Sequence, residues 1–155
     1  MTQTLDAPDA PPGWRPLDFG EGFIGANGPL WGRREENNIA LGFRVEERHC
    51  NPNRMCPGGM LMTFADMVLP IGARVAARME AVFLPTIHLA MDSLEPAPLG
   101  AWVEGRARVL RVTRNLVFAD GLITIGEEIV ARPNGVFKVG KPLPGMRSLD
   151  ALLAE

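Results

Sequence analysis

Between Met55 and Ala73 the chain is apolar or small at almost every position and carries a single charge, Asp66. Desolvation raises the pKa of a carboxylate, so an acid in such a run is a candidate catalytic base or nucleophile; the plainer reading is an Asp that caps or pairs locally. Pro57-Gly58-Gly59 precedes it and marks where a loop gives way to a helix. The first amides of a helix have no intrahelical acceptor, so the N–H groups of Gly58 and Gly59 can hold an oxyanion. Gly58 and Asp66 lie about 12 Å apart along a helix rising about 1.5 Å per residue. A reacting carbonyl must sit about 3 Å from both its donors and its attacking group. One chain cannot bring both to the same carbonyl. If they serve one reaction, the simplest site uses two antiparallel copies of this helix, and a homodimer follows.

The elements around that helix can be read from periodicity. Pro70 interrupts the run four residues after Asp66, where its ring crowds the Asp66 carbonyl and predicts a kink. Ile39 to Glu47 alternates Ile39, Leu41, Phe43 and Val45 against Ala40, Gly42, Arg44 and Glu46, the period of a half-buried strand. After Pro85 come four strand-like runs, 86–94, 102–112, 115–125 and 128–139. Short turn clusters separate them, so neighbours should pair antiparallel. Pro133-Asn134-Gly135 predicts a bulge or hairpin in the last run. Residues 1–18 are rich in Pro, Ala and Asp and are expected to form a flexible arm, with one domain over 19–141. A tail over 142–155 is expected to close in a short helix at 149–153. One strand, a long apolar helix and about four antiparallel strands make an α+β domain in which a single sheet wraps one helix.

Composition narrows the function classes. At 155 residues, 46% hydrophobic and 22% charged, the chain has the size and make-up of one globular domain. A net charge of -2 and a pI near 5.7 give no general attraction to nucleic acid or anionic membrane. No basic start leads into an apolar segment, so the cytoplasm is the expected compartment. The 55–73 run approaches membrane-spanning length, but Asp66 at its centre would cost about 2.5 to 3.5 kcal/mol in a bilayer, which favours a buried helix. Cys50 and Cys56 match no metal or redox spacing, and no metal site is expected. They read as small apolar fillers, with a second reading in which the helix start lowers the Cys56 pKa.

Strand, Asn-containing loop, Gly-Gly, helix with an internal acid, then strands resembles the hotdog fold, in particular the PaaI-type acyl-CoA thioesterases. Asn51, Gly58 and Asp66 reproduce that family's two intervals, seven and eight residues, and Thr86 opens the strand after the helix where the family carries Ser or Thr. The resemblance runs from about Phe23 to Val139. It implies one long central helix wrapped by an antiparallel sheet of about five to six strands. In roles, it implies Asp66 as general base or nucleophile, the Gly58 N–H and the Asn51 side-chain amide as donors to the thioester carbonyl, and Thr86 as the holder of the attacking water. It also implies that Asn51 and Gly58 of one protomer face Asp66 and Thr86 of the other, in a homodimer whose copies pair again as a dimer of dimers. The expected substrate is an acyl-CoA, with no cofactor beyond the CoA that the substrate itself carries. One departure is Pro57, where the family commonly has His; this removes an imidazole from the helix entrance and leaves the backbone donors of Gly58 and Gly59.

Further residues follow from the same reading. Pro57, Gly59 and Met67 are expected beside the substrate, and Arg111, Arg114 and Lys138 are candidates for the CoA phosphates or, alternatively, solvated strand-end charges. Met55, Met60, Met62 and Met67 read as core and interface packing or as a pliable acyl pocket. His49 reads as a structural hydrogen-bonding residue, and His88 as a strand-surface or interface residue. His49 followed by Pro57-Gly58 also fits the hotdog hydroxyacyl thioester dehydratases, but their acid position is Thr63 here, and a hydroxyl cannot act as that acid at neutral pH. The remaining alternative is a hotdog dimer that binds an acyl-CoA without hydrolysing it.

Overall fold

The computed structural model describes residues 10–79, 82–142 and 144–145. In chain order the elements are β1 (Arg15–Leu17), α1 (Phe23–Asn27), β2 (Leu30–Glu35), β3 (Asn38–Arg44), β4 (Met55–Cys56), α2 (Gly58–Ala76), β5 (Thr86–Ser93), β6 (Ala97–Pro98), β7 (Trp102–Val112), β8 (Leu116–Ile125) and β9 (Glu128–Lys138). Seven strands form one antiparallel sheet in the order β1-β2-β3-β7-β8-β9-β5, and β4 pairs with β6 in a separate two-stranded ribbon. The main sheet therefore has more strands than the five to six expected. The additional members are short or peripheral, and β1 is one of them.

Alternation along each strand puts one row on α2 and the other on the outer face. Ile39, Leu41 and Phe43 of β3, Val103 and Ala107 of β7, and Val117, Ala119 and Ile123 of β8 are buried on the helix side. The intervening outer positions carry charge: Arg106 bridges Glu35 and Glu104 at 2.8 and 3.0 Å, and Arg108 pairs with Asp120 at 2.7 Å. Burying a side chain such as Phe43, Phe64 or Phe137 contributes about 1.5 to 3 kcal/mol, so this two-sided pattern fixes strand register as well as stability.

The helix lies close on the sheet because small residues meet at the crossing. A Cβ on Gly105 of β7 would come within 2.5 Å of Val68, and one on Gly72 of α2 within 2.6 Å of Ala107. The buried face of α2 includes Met60, Leu61, Phe64, Ala65, Val68, Leu69 and Gly72. By length and composition α2 could cross a membrane, but half of it is buried inside the domain. Its neighbours do not cover every side: Met62, Thr63, Asp66, Met67 and Pro70 form a half-buried stripe at helical spacing.

Several boundaries differ from the sequence reading. The arm expected over 1–18 is shortened from its C-terminal side, because Arg15–Leu17 pairs with β2 and buries Trp14 and Leu17. Pro16 is tolerated there because β1 is an edge strand. The strand expected to reach Glu47 ends at Arg44, and Glu47–His49 turns as a 3-10 helix. Pro133-Asn134-Gly135 makes neither bulge nor hairpin. Strand β9 runs through it, and Pro133, which has no N–H, falls where the β8–β9 ladder lapses between Asp120↔Asn134 and Ile123↔Ala131. Helix α2 runs unbroken from Gly58 through Pro70 to Ala76. The helix expected at 149–153 lies outside the described residues.

Candidate active site

Asp66 lies on the half-buried stripe of α2, and the first residue of β5 reaches it: Thr86 Oγ1 donates to Asp66 Oδ1 at 2.6 Å. That length is typical of a hydroxyl donating to a carboxylate. The contact depends on a register shift between Thr86 and His88, which lets Thr86 face the helix while the residues after it continue their pairing with β9.

The other end of the site is the start of α2. Pro57 is the N-cap and offers no side-chain cap. Its carbonyl accepts from Met60 and Leu61 at 3.0 and 3.2 Å, while the N–H groups of Gly58 and Gly59 find no acceptor among the described residues. Both glycines are exposed, and a Cβ on Gly59 would meet nothing within 4 Å. The two unused amides therefore point into open space at the positive end of a nineteen-residue helix.

Asn51 is held by its own loop. Its Oδ1 accepts from the N–H groups of Asn53 and Met55 at 3.0 and 3.1 Å. Those two donors fix the amide orientation and leave the Nδ2 group as a donor without an acceptor among the described residues. The β4–β6 ribbon, with Cys56 opposite Ala97, ties this loop and the helix start to the segment that follows β5.

His49 is buried and fully engaged. Its Nδ1 accepts from the Glu46 N–H at 3.0 Å, so Nε2 carries the proton and donates to the Asn27 carbonyl at 2.9 Å. Phe43 packs edge-on against the ring at 5.3 Å. Burial holds the imidazole below its ordinary pKa, with Arg48 adding to the effect, and the bond to Asn27 opposes it. Neither nitrogen is left to act as a base, which agrees with the structural reading and disfavours the dehydratase. Cys56 is likewise inert: burial, with a smaller contribution from Cys50, pushes its thiol up to about 12, opposite to the depressed value considered from sequence. Both cysteines are free.

Arg111, Arg114 and Lys138 are exposed and share the end of the sheet at which Thr86 begins. Lys138 lies opposite Leu116, Arg111 opposite Phe118, and Thr86 opposite Phe137. None of the three forms an ion pair with a described residue. His88 is exposed opposite Val136, on the outer face. Met67 and Met60 line an apolar cleft between α2 and α1.

Sequence reasoning missed Ser93. Its Oγ lies 3.9 Å from where a Cβ of Gly58 would stand, so a hydroxyl sits beside the free amides. Strict alternation puts residues 86 and 93 on opposite faces of a strand; the irregularity after Thr86 reverses the parity and turns both toward the helix.

A seven-stranded antiparallel sheet wrapped on one long helix is the hotdog fold. The Thioesterase superfamily matches residues 55–131, a span that contains Gly58, Asp66, Thr86 and Ser93. A protein of Pseudomonas aeruginosa named "Putative esterase PA0474" is 30% identical over 130 residues, covering 83% of this chain and 96% of the relative. Among solved structures, the Escherichia coli PaaI protein of the phenylacetic acid degradation operon superposes with a TM-score of 0.64 at 19% identity, covering 74% of this chain and 86% of that one. The smu.793 protein of Streptococcus mutans, bound to acetyl CoA, gives 0.61 at 18% identity, with 70% and 86% covered. The chain belongs to the thioesterase superfamily, and its sheet and helix are those of the hotdog fold.

Proposed function

We propose that this protein hydrolyses acyl-CoA thioesters in a site shared by two protomers. Asp66 and Thr86 of one would face the Gly58 and Gly59 amides and the Asn51 side chain of the other. The observation that carries the reading is the 2.6 Å bond from Thr86 to Asp66, which ties the one acid of α2 to the first residue of β5. Because the Thr86 proton goes to Asp66, the hydroxyl oxygen can accept one hydrogen of a water whose other hydrogen points at the carboxylate. The water oxygen bonds to the thioester carbon, its proton passes to Asp66, and the charge developing on the carbonyl oxygen falls on the amide donors. The C–S bond then breaks, and the proton leaves with the thiolate. In the alternative route an Asp66 oxygen attacks first, CoA departs, and water cleaves the resulting anhydride.

A second copy is supported by two features of the single chain. Strand β5 ends the sheet, and its open side presents Ile87 at 57% exposure. An edge of this kind is normally covered. The stripe Met62, Met67 and Pro70 leaves apolar surface beside Asp66. For the CoA moiety, the exposed Arg111, Arg114 and Lys138 suit phosphate groups, and the acetyl CoA bound to the Streptococcus mutans protein points to the same ligand class.

The test is release of free thiol from a panel of aliphatic and aryl acyl-CoAs. Wild type should release thiol, and Asp66→Asn and Asp66→Ala should lose about 100-fold to 10,000-fold in kcat. Equal rates in all three would end the proposal. Binding of acyl-CoA without turnover would leave the non-catalytic alternative.

A further inference from the structure

Strand β5 opens with Thr86 and closes with Ser93, and the irregularity after Thr86 turns both side chains toward α2. Thr86 meets Asp66, while Ser93 comes to the start of the helix. Apart from the helix itself and the flanking residues, the Ser93 hydroxyl oxygen is the one heavy atom within 4 Å of where a Cβ of Gly58 would stand, at 3.9 Å. Cα–Cβ bonds tilt toward the N-terminus of a helix, the direction in which its first N–H groups also point. Ser93 therefore stands on the side to which the unused Gly58 and Gly59 amides are directed.

The backbone holds it there from two sides. The N–H groups of Leu94 and Glu95 both donate to the Val130 carbonyl, at 2.8 and 3.2 Å, and two residues further Ala97 pairs with Cys56, which precedes Pro57. The hydroxyl itself is exposed and has no partner among the described residues, so its proton is free to be donated. Within one residue Cβ lies about 2.5 Å from N, which puts the hydroxyl no more than about 6.4 Å from the Gly58 nitrogen. Two donors that each stand about 2.7 to 3.1 Å from one oxygen are up to about 6 Å apart. A carbonyl oxygen fits between them.

We propose that Ser93 is a further catalytic residue, whose hydroxyl donates to the thioester carbonyl oxygen beside the amides of its own protomer. The bond strengthens as negative charge develops on that oxygen. Its proton stays on Oγ throughout, and Ser93 forms no covalent bond to the substrate. A carbonyl oxygen offers two lone pairs and the oxyanion three, so a donor added to the backbone amides is engaged chiefly in the transition state. Each complete site then takes one hydroxyl from the β5 of each protomer, Thr86 beside the acid and Ser93 beside the amides. This inference rests on the proposed hydrolysis and adds a residue to it.

The experiment is steady-state kinetics of wild type, Ser93→Ala and Ser93→Thr on an acyl-CoA that wild type turns over. Ser93→Ala should lower kcat about tenfold to a hundredfold and leave KM within about threefold, the signature of a donor engaged in the transition state. Ser93→Thr keeps the hydroxyl and suits a strand, so it should retain at least about a third of kcat. Wild-type kcat in Ser93→Ala, a loss confined to KM, or equal losses in the two variants, with Asp66→Asn inactive, would overturn the Ser93 assignment alone. If wild type hydrolyses nothing, the function reading fails, and calorimetric titration then judges Ser93. The probes are trifluoroacetonyl-CoA, whose hydrated ketone mimics the tetrahedral intermediate, and acetonyl-CoA, whose ketone stays planar. Wild type should prefer the first, and Ser93→Ala should remove at least about fivefold of that preference; an unchanged preference, or no binding, would overturn it.

Discussion

Thr86 and Asp66 meet at 2.6 Å although twenty residues of chain separate them, and the hydroxyl is the donor. The bond uses one Asp66 oxygen and leaves the other for a water or a carbonyl carbon. It also fixes where the Thr86 lone pairs point. A hydrogen bond to a charged group is worth about 1.5 to 3 kcal/mol, so Thr86→Val should lower kcat by about tenfold to a hundredfold. Thr86→Ser should keep most of the activity, because it retains the hydroxyl. Steady-state kinetics on one acyl-CoA checks both, and a Thr86→Val enzyme with wild-type kcat would remove Thr86 from the mechanism.

The close approach of α2 to the sheet makes Gly105 a stability position. A methyl there meets Val68 at 2.5 Å and Phe64 at 3.0 Å, and both side chains are fully buried with no room to yield. Overpacking of this kind costs about 1 to 3 kcal/mol. For a chain of this size that is a fall of roughly 3 to 10 °C in Tm, which a thermal melt of Gly105→Ala should show. The same substitution at Gly59, where nothing lies within 4 Å, should leave Tm nearly unchanged.

The helix, the four later strands and the Asn51, Gly58, Asp66 spacing were legible in the sequence because each is a local pattern: an apolar run, alternation, and fixed intervals. What escaped was set by tertiary contacts. Arg15–Leu17 has no alternation to mark it, and it becomes a strand only because β2 offers an open edge. Ser93 was hidden by the shift after Thr86, which no composition signals. The cleft joins Ile24 and Leu30 to Met60 and Met67 across thirty or more residues, and side chains of the 46–49 turn bond to α1.

His49 gives that turn a pH dependence with a definite sign. Burial keeps the folded imidazole neutral below its ordinary value of 6.5, while the unfolded chain takes up its proton near 6.5. Between those two values the unfolded state binds more protons, so this contribution is complete above about pH 6.5 and declines as pH falls toward the folded value. Protonation also puts a proton on Nδ1, where the Glu46 N–H now donates. Urea midpoints measured from pH 7.5 down to 5 should fall for wild type. His49→Gln, lower at every pH, should show a shallower slope. Parallel slopes would mean that His49 does not titrate in folding.

Asn51 allows the shared site to be tested without relying on the size of any rate. Its Oδ1 shapes the loop by accepting from Asn53 and Met55, and its Nδ2 is the free donor, so Asn51→Asp keeps the turn while replacing the donor with an acceptor. Asn51→Asp and Asp66→Asn should each give inactive, folded homodimers. In a heterodimer of the two, one site is built from the intact Asn51 of one protomer and the intact Asp66 of the other, and the second site carries both lesions. With random exchange half the dimers are mixed, so an equimolar mixture should recover about a quarter of wild-type activity, as a two-fold dimer with two shared sites requires. If both residues instead served one site within a single chain, every site in the mixture would carry a lesion, and mixing would restore nothing.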